Sequence, residues 1–305
     1  MSALLTAYEV RDRLNRTPAP LLVHVLPPEH FAARRIEGAI NLCSYESAFV
    51  RKLQERAPDP DQAIILYGEG EPSLDSADAA QKLELAGYKN ITDFRGGLRA
   101  WEEAGFYIVS DGPLPDSPLM DGNFKIDTAS SVIRWTGRNL FNHHEGTLKF
   151  SGGSILLNEG ALVGGELSID MNSIVCSDLA AAGVNAMLIA HLRDADFFDV
   201  AHHPTAKVTI KSATPFPNPH LSHPNYEISV SLMLRGVERP LAFPAVIAAA
   251  DSDHLTAQAQ LDFDRTKFGS HYGSGRFFAY LGQHVVNDLI DLHLKIHAVK
   301  VAHQV

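Results

Sequence analysis

The chain has 305 residues, 45% of them apolar and 20% charged, with a formal net charge of −10. That length is more than one core fills and implies two domains. The acidic balance argues against nucleic acid as a partner and against docking by charge on anionic headgroups, and two cysteines are too few for a disulfide framework.

Residues 1–16 carry no apolar core ahead of a small-residue cleavage site. They place Leu4, Leu5, Val10 and Leu14 on one side of a helix, so the expectation is a cytoplasmic protein without a secretory signal. No segment attains the ~20 apolar residues of a membrane span. Up to residue 108 short apolar runs alternate with helical patterns. The strands are expected at Leu21–Val25, Gly38–Leu42, Ile64–Tyr67 and Ile91–Phe94. The helices are expected at Pro28–Arg34, Glu46–Ala57, Ser73–Ala86 and Gly97–Ala104. Strands alternating with helices predict a mainly parallel α/β sheet. Residues 109–122, rich in Pro, Gly and Asp, predict a linker.

After residue 122 the period changes to two. Ser131–Trp135, Thr147–Phe150, Glu166–Met171, Lys207–Lys211, Glu227–Leu232, Leu255–Phe263 and Leu289–Ile296 alternate apolar with polar. Such a series predicts an antiparallel β domain, a sandwich or a barrel, over 123–305. Val184–Arg193 and Gly275–Leu281 read as helical interruptions, and Pro215–Pro224 as a long loop.

Ala63 to Phe106 resembles a rhodanese-type sulfurtransferase domain. The resemblance rests on Leu83-Glu84-Leu85-Ala86-Gly87-Tyr88, then Arg95-Gly96-Gly97-Leu98-Arg99-Ala100-Trp101, and extends over about residues 5–108. It implies a loop after the buried strand that presents a nucleophilic cysteine to backbone N–H groups. Here Leu66-Tyr67-Gly68-Glu69-Gly70-Glu71 has no cysteine: glycine, Gly68 or Gly70, occupies either aligned position, and Glu69, Glu71 and Asp75 surround it. Thiolates need a positive setting, so the domain is expected to be catalytically inactive. His24 stands where the family usually has an aspartate, Leu26 where it often has an arginine, and Arg35 where a histidine is common. Cys43 ends a different strand and, like Cys176, reads as a small buried hydrophobe.

Residues 123–298 resemble the YceI-like family of lipocalin-like barrels. The residues that carry this are Ser168-Ile169-Asp170-Met171-Asn172-Ser173-Ile174, His191-Leu192-Arg193-Asp194-Ala195-Asp196-Phe197-Phe198-Asp199-Val200, Leu234-Arg235-Gly236-Val237-Glu238-Arg239-Pro240 and Asp264-Arg265-Thr266-Lys267-Phe268-Gly269. The resemblance implies an antiparallel eight-stranded barrel that binds a polyisoprenoid, a quinone, a fatty acid derivative or another long-chain apolar small molecule, with no cofactor required. Strand parity turns Ile133, Trp135, Leu148, Phe150, Ile169, Val208, Ala257, Ala259 and Phe263 inward, and the two alanines leave space where a packed core would hold larger residues. An enzyme, either a residual sulfurtransferase or a barrel that reacts with its ligand, and a stress-related interaction protein with a filled barrel remain the alternatives, and whether the chain pairs as a homodimer is left open.

Thirteen of fifteen histidines lie beyond residue 142. His143-His144 and His202-His203 sit side by side and so point to opposite faces of a strand. His293 and His297 are too far apart along one to chelate an ion. Neither pair has a cysteine nearby in sequence, so no metal site is expected. Tyr272-Gly273-Ser274-Gly275-Arg276 lacks the lysine of a phosphate loop and reads as a turn opening a helix at Arg276.

Overall fold

The computed structural model describes residues 5–114, 120–217, 222–249 and 251–301. The chain divides into two compact units, Met1–Asp116 and Ser117–Val305.

The first unit contains α1 (Ala7–Leu14), β1 (Leu21–His24), α2 (Pro28–Ala33), β2 (Ile40–Asn41), α3 (Phe49–Arg56), β3 (Ile64–Tyr67), α4 (Asp75–Leu85), β4 (Ile91–Asp93) and α5 (Gly97–Glu103). The strands form a wholly parallel sheet in the order β2-β1-β3-β4. Alternation along β3 sends Ile64 and Leu66 to a core shared with Phe49, Leu53, Ala79 and Leu83 of α3 and α4. It sends Ile65 and Tyr67 to a second core with Val10, Leu98 and Trp101 of α1 and α5. A strand buried on both faces reads as a continuous apolar run, as Ile64–Tyr67 does. The expected linker is narrower than 109–122. Val109 bridges to Arg35, whose guanidinium grips Asp111 at 2.7 Å, and at the other end Gly122 pairs with Leu157. Residues 115–119 of the expected linker lie outside the described residues.

Among its described residues the second unit has nine strands: β5 (Gly122–Ile126), β6 (Val132–Asn139), β7 (His143–Asn158), β8 (Ala161–Cys176), β9 (Thr205–Pro215), β10 (Tyr226–Leu234), β11 (Val237–Ala249), β12 (His254–Asp264) and β13 (Val286–Lys300), with α6 (Ala182–Arg193) between β8 and β9. Antiparallel neighbours follow chain order from β6 to β13, and β13 pairs back onto β6. That closes an eight-stranded barrel, with β5 lodged between the ends of β13 and β7.

One expectation needs correction. Gly275–Leu281 is not a helix: it forms turns, and the short 3-10 segments fall at Arg265–Phe268 and Gly282–His284. The glycine-flanked sequence around Arg276 cannot sustain a helical ladder. Strand β11 has no alternating signature before the structure, because Pro240 and Pro244 interrupt it. The ladder explains how it tolerates them. β11 pairs with β10 along its length but with β12 only from Ala245 to Ala249, so neither proline has to donate towards β12. The two-residue turn Arg235–Gly236, with φ of 52° and 72°, joins β10 to β11 as a tight hairpin. Of the expected loop Pro215–Pro224, Pro215 ends β9, and 218–221 lie outside the described residues. No helix among the described residues is long and apolar enough to cross a membrane.

Candidate functional site

The loop after β3 is tied down from all sides. The carbonyl oxygens of Gly68 and Glu69 accept the N–H groups of Leu98 and Arg99 at 3.0 Å, which occupies donors at the start of α5. Arg34 reaches both Glu69 (3.2 Å) and Glu102 (2.6 Å), Arg99 donates to the Glu71 carbonyl, and the Tyr45 hydroxyl bonds Asp75. A Cβ on Gly68 would stand 2.9 Å from Asp75 Cβ and 3.0 Å from its carboxylate. A Cβ on Gly70, whose φ is +123°, would stand 2.4 Å from the Gly96 carbonyl oxygen. The loop conformation therefore belongs to glycine at both aligned positions. His24 is fully buried against the rings of Phe31 and Tyr67, and neither ring nitrogen has a hydrogen-bond partner. Burial, with neighbouring His30 adding to it, drops its pKa to about 4. It is a neutral packing element where the family carries a charge.

In the barrel, strand parity behaves as expected. Ile133 and Trp135 are buried and Arg134 is exposed; Ala257, Ala259 and Phe263 are buried, Gln258 and Gln260 exposed. All nine inward residues of the sequence reading line two chambers, with cavity volumes of about 100 and 90 Å³. Phe150, Val208, Ala257 and Ala259 belong to the first, Trp135, Leu148 and Phe263 to the second. Ile133 and Ile169 line both, as do Leu232 and Leu292, so the two chambers adjoin and share part of their wall. Gln258 is the single polar residue around the first chamber, beside fifteen or more aliphatic and aromatic side chains.

The second chamber adds what parity could not supply. Arg265 and Asn287 join its wall. The Arg265 side chain is fully buried, with its guanidinium bonded to the carbonyls of Asn287 (3.0 Å), Ser270 (2.8 Å) and Val286 (3.1 Å) and lying over the Phe197 ring. Burial lowers its pKa, though Asp288 and Asp264 oppose this. The Trp135 indole N–H is buried without an acceptor. The sequence signal for Arg265 was the Asp264–Gly269 motif; nothing in it said that an arginine would line the barrel interior.

Antiparallel order puts the connections β6–β7, β8–β9, β10–β11 and β12–β13 at one end of the barrel. That end is covered by α6, whose Leu192 lines the second chamber with Phe197 and Phe198. It also carries exposed Leu140, Phe141, Val184, Met187, Phe277, Phe278 and Tyr280. On the same side, β11 and β12 part beyond Ala245, with Leu241 and Phe243 on one lip and Leu261 on the other, all three in the wall of the first chamber.

A closed meander barrel around two adjoining chambers, following a three-layered α/β unit with a parallel sheet, defines a lipocalin-like barrel joined to a rhodanese-like domain. The family model for a YceI-like domain matches residues 124–298 and that for a Rhodanese-like domain matches residues 6–104. The chain belongs to the YceI-like family, with a rhodanese-like domain ahead of the barrel. No curated protein matches the chain. Among solved structures, BcnA of Burkholderia cenocepacia is 19% identical over 57% of this chain and 99% of its own, with a TM-score of 0.45. A polyisoprenoid binding domain from Saccharophagus degradans, described as implicated in plant cell wall breakdown, is 15% identical over 58% of this chain and 98% of its own, with a TM-score of 0.42. The YCEI protein of Campylobacter jejuni is 16% identical over 50% and 84%, with a TM-score of 0.37.

Proposed function

We propose that the barrel binds and carries a long-chain apolar molecule, a polyisoprenoid, a quinone or a fatty acid derivative, and that the rhodanese-like domain is a non-catalytic accessory. The observation that carries the reading is the pair of adjoining chambers inside the barrel, the first apolar, the second lined in part by Arg265, Asn287 and Trp135, whose indole N–H has no partner. Burial contributes about 0.8 kcal/mol per methylene, so a long tail binds tightly in the first chamber with no polar contact. An unpaired buried N–H costs free energy until an acceptor arrives. A quinone carbonyl or a headgroup oxygen in the second chamber supplies one. Tail and head thus have different chambers, with the head near α6. Entry is assigned to that same end, where the apolar rim and the parted β11–β12 wall meet the chambers.

For the first domain, the absence of cysteine from 68–71 and the carboxylates of Glu69, Glu71 and Asp75 around that loop support one that does not receive an anion. The carrier reading is tested by organic extraction of the purified chain followed by mass spectrometry, and by titration with decylubiquinone read through Trp135 fluorescence. A stoichiometric apolar molecule, or saturable quenching that survives Trp101→Phe, is expected. An empty extract together with no saturable quenching refutes it.

A further inference from the structure

Three side chains with metal-binding atoms meet at the α6 end of the barrel. His144 is the second residue of β7, Cys176 the last of β8, and Asp178 the second residue of the connection to α6. Sequence spacing hides this group, because 32 residues separate the histidine from the cysteine. The β7–β8 ladder joins them by setting Gly146 opposite Cys176. The strands touch closely there: a Cβ on Gly146 would lie 1.8 Å from the Val175 carbonyl oxygen and 2.8 Å from Trp135 Cζ2.

Asp178 is the hub. Its Oδ1 accepts the Glu145 N–H at 2.9 Å and the Cys176 thiol at 3.0 Å, and its Oδ2 lies 2.9 Å from His144 Nδ1. The three donor atoms all lie within 4.8 Å of one another, the single such group of His, Cys, Asp or Glu found among the described residues. Cys176 is buried, whereas the side chains of His144 and Asp178 keep 33% and 25% of their surface in solvent. The group is therefore open on one side.

We propose that His144, Cys176 and Asp178 bind one divalent transition-metal ion of the zinc type. One sulfur, one imidazole nitrogen and one carboxylate oxygen suit a borderline ion and do not suit magnesium or calcium, which take oxygen donors. Bond lengths of about 2.3, 2.0 and 2.1 Å at tetrahedral angles separate such donors by about 3.5 Å. The hydrogen-bonded contacts of 2.9 and 3.0 Å then have to open by about 0.5 Å, which side-chain rotation at a rim supplies. The protons balance. The thiol proton leaves to solvent, Cys176 sulfur and Asp178 bring two negative charges to a dipositive ion, and His144 binds through Nδ1 with its proton on Nε2. No oxidation state changes. Asp178 keeps its bond from the Glu145 N–H, which orients it from the outer shell, and water takes the fourth position from the open side.

Bound metal would tie the start of β7 to the end of β8 and to the root of α6. The α6 root is already fastened there, since the Asn185 side chain donates to the carbonyls of Cys176 (3.0 Å) and Leu179 (3.1 Å). Because Leu192 of α6 lines the second chamber, the ion stiffens the cover of that chamber. The site stands on its own donors, whatever the barrel carries.

The test is titration of the tag-free, chelator-stripped full chain with Co²⁺. Expected are one tight equivalent with a sulfur-to-cobalt charge-transfer band in the near ultraviolet, tetrahedral visible bands, displacement by Zn²⁺, and release of about one proton per ion. Cys176→Ser can keep its bond to Asp178, so it should stay folded, lose the near-ultraviolet band and bind on the order of a hundredfold more weakly. His144→Ala and Asp178→Asn should weaken binding comparably, and His143→Ala should not. Cobalt bound without a thiolate band, affinity unchanged in Cys176→Ser and His144→Ala alike, or no binding at micromolar Co²⁺ overturns the assignment.

Discussion

Replacing Ala257 by Phe separates a binding chamber from a packed core. Ala257 lies on β12 opposite Ile247 of β11 and Ile296 of β13, and its methyl group faces the first chamber. From Ala257 to Phe263 the strand rises about 20 Å at ~3.3 Å per residue, or about 15 Å along the axis at a tilt near 40°. A phenyl group at the far end of that run takes the place of about five methylenes of a ligand tail, worth about 4 kcal/mol at ~0.8 kcal/mol each. That is a loss of on the order of a thousandfold in affinity. The fold should tolerate the change, because a ring entering a void does not meet the ~1–3 kcal/mol cost of overpacking. Decylubiquinone titration followed by Trp135 fluorescence, with thermal unfolding in parallel, measures both effects. Gln260→Ala, on the exposed face of the same strand, should change neither. If Ala257→Phe unfolds the barrel, or leaves affinity within a fewfold of the parent, the first chamber is not the binding site.

The full chain should show no thiosulfate sulfurtransferase activity above a no-enzyme control. Gly68→Cys should not restore it, because the new thiol would sit against the Asp75 carboxylate, which raises its pKa; turnover in either protein would refute the inactive reading. His24 should make the first unit acid-sensitive. Its folded pKa of about 4 lies below the ordinary 6.5, so between those values the unfolded chain binds more protons. Stability should therefore fall as pH drops through that window, by about 3 kcal/mol in all. Denaturant unfolding of Trp135→Phe, with Trp101 as the remaining probe, measures this, and adding His24→Phe should flatten the slope; an equal slope in both proteins refutes it. Phe277→Ser combined with Phe278→Ser should slow decylubiquinone uptake from phosphatidylcholine vesicles severalfold while leaving capacity unchanged, as stopped-flow quenching can show. Unaltered uptake would move the entry away from the α6 end.

Much of this protein follows from local pattern. Ile64–Tyr67 appears at the residues its apolar run marks, because a central parallel strand is buried on both faces and announces itself without alternation. The inward residues of β6, β7 and β12 follow from a period of two. Gly68 and Gly70 could be read as missing nucleophiles because the motif around them is linear in sequence. β11 was lost to the eye because its prolines mean one thing in isolation and another where β12 has already turned away. The failed helix at Gly275–Leu281 has the opposite origin: a few helix-compatible residues outweighed their glycines only on paper.

What the sequence by itself determined is therefore the two-domain order, the class of each domain and which face of most barrel strands is apolar. Those are properties of neighbours along the chain. Tertiary structure alone decided that the apolar faces leave open chambers between them. It also decided that a buried arginine and a tryptophan whose N–H has no partner line one of them, and that His144, Cys176 and Asp178 meet. Each depends on how far one strand stands from another across the ladder, a distance that barrel closure sets and that no linear spacing records.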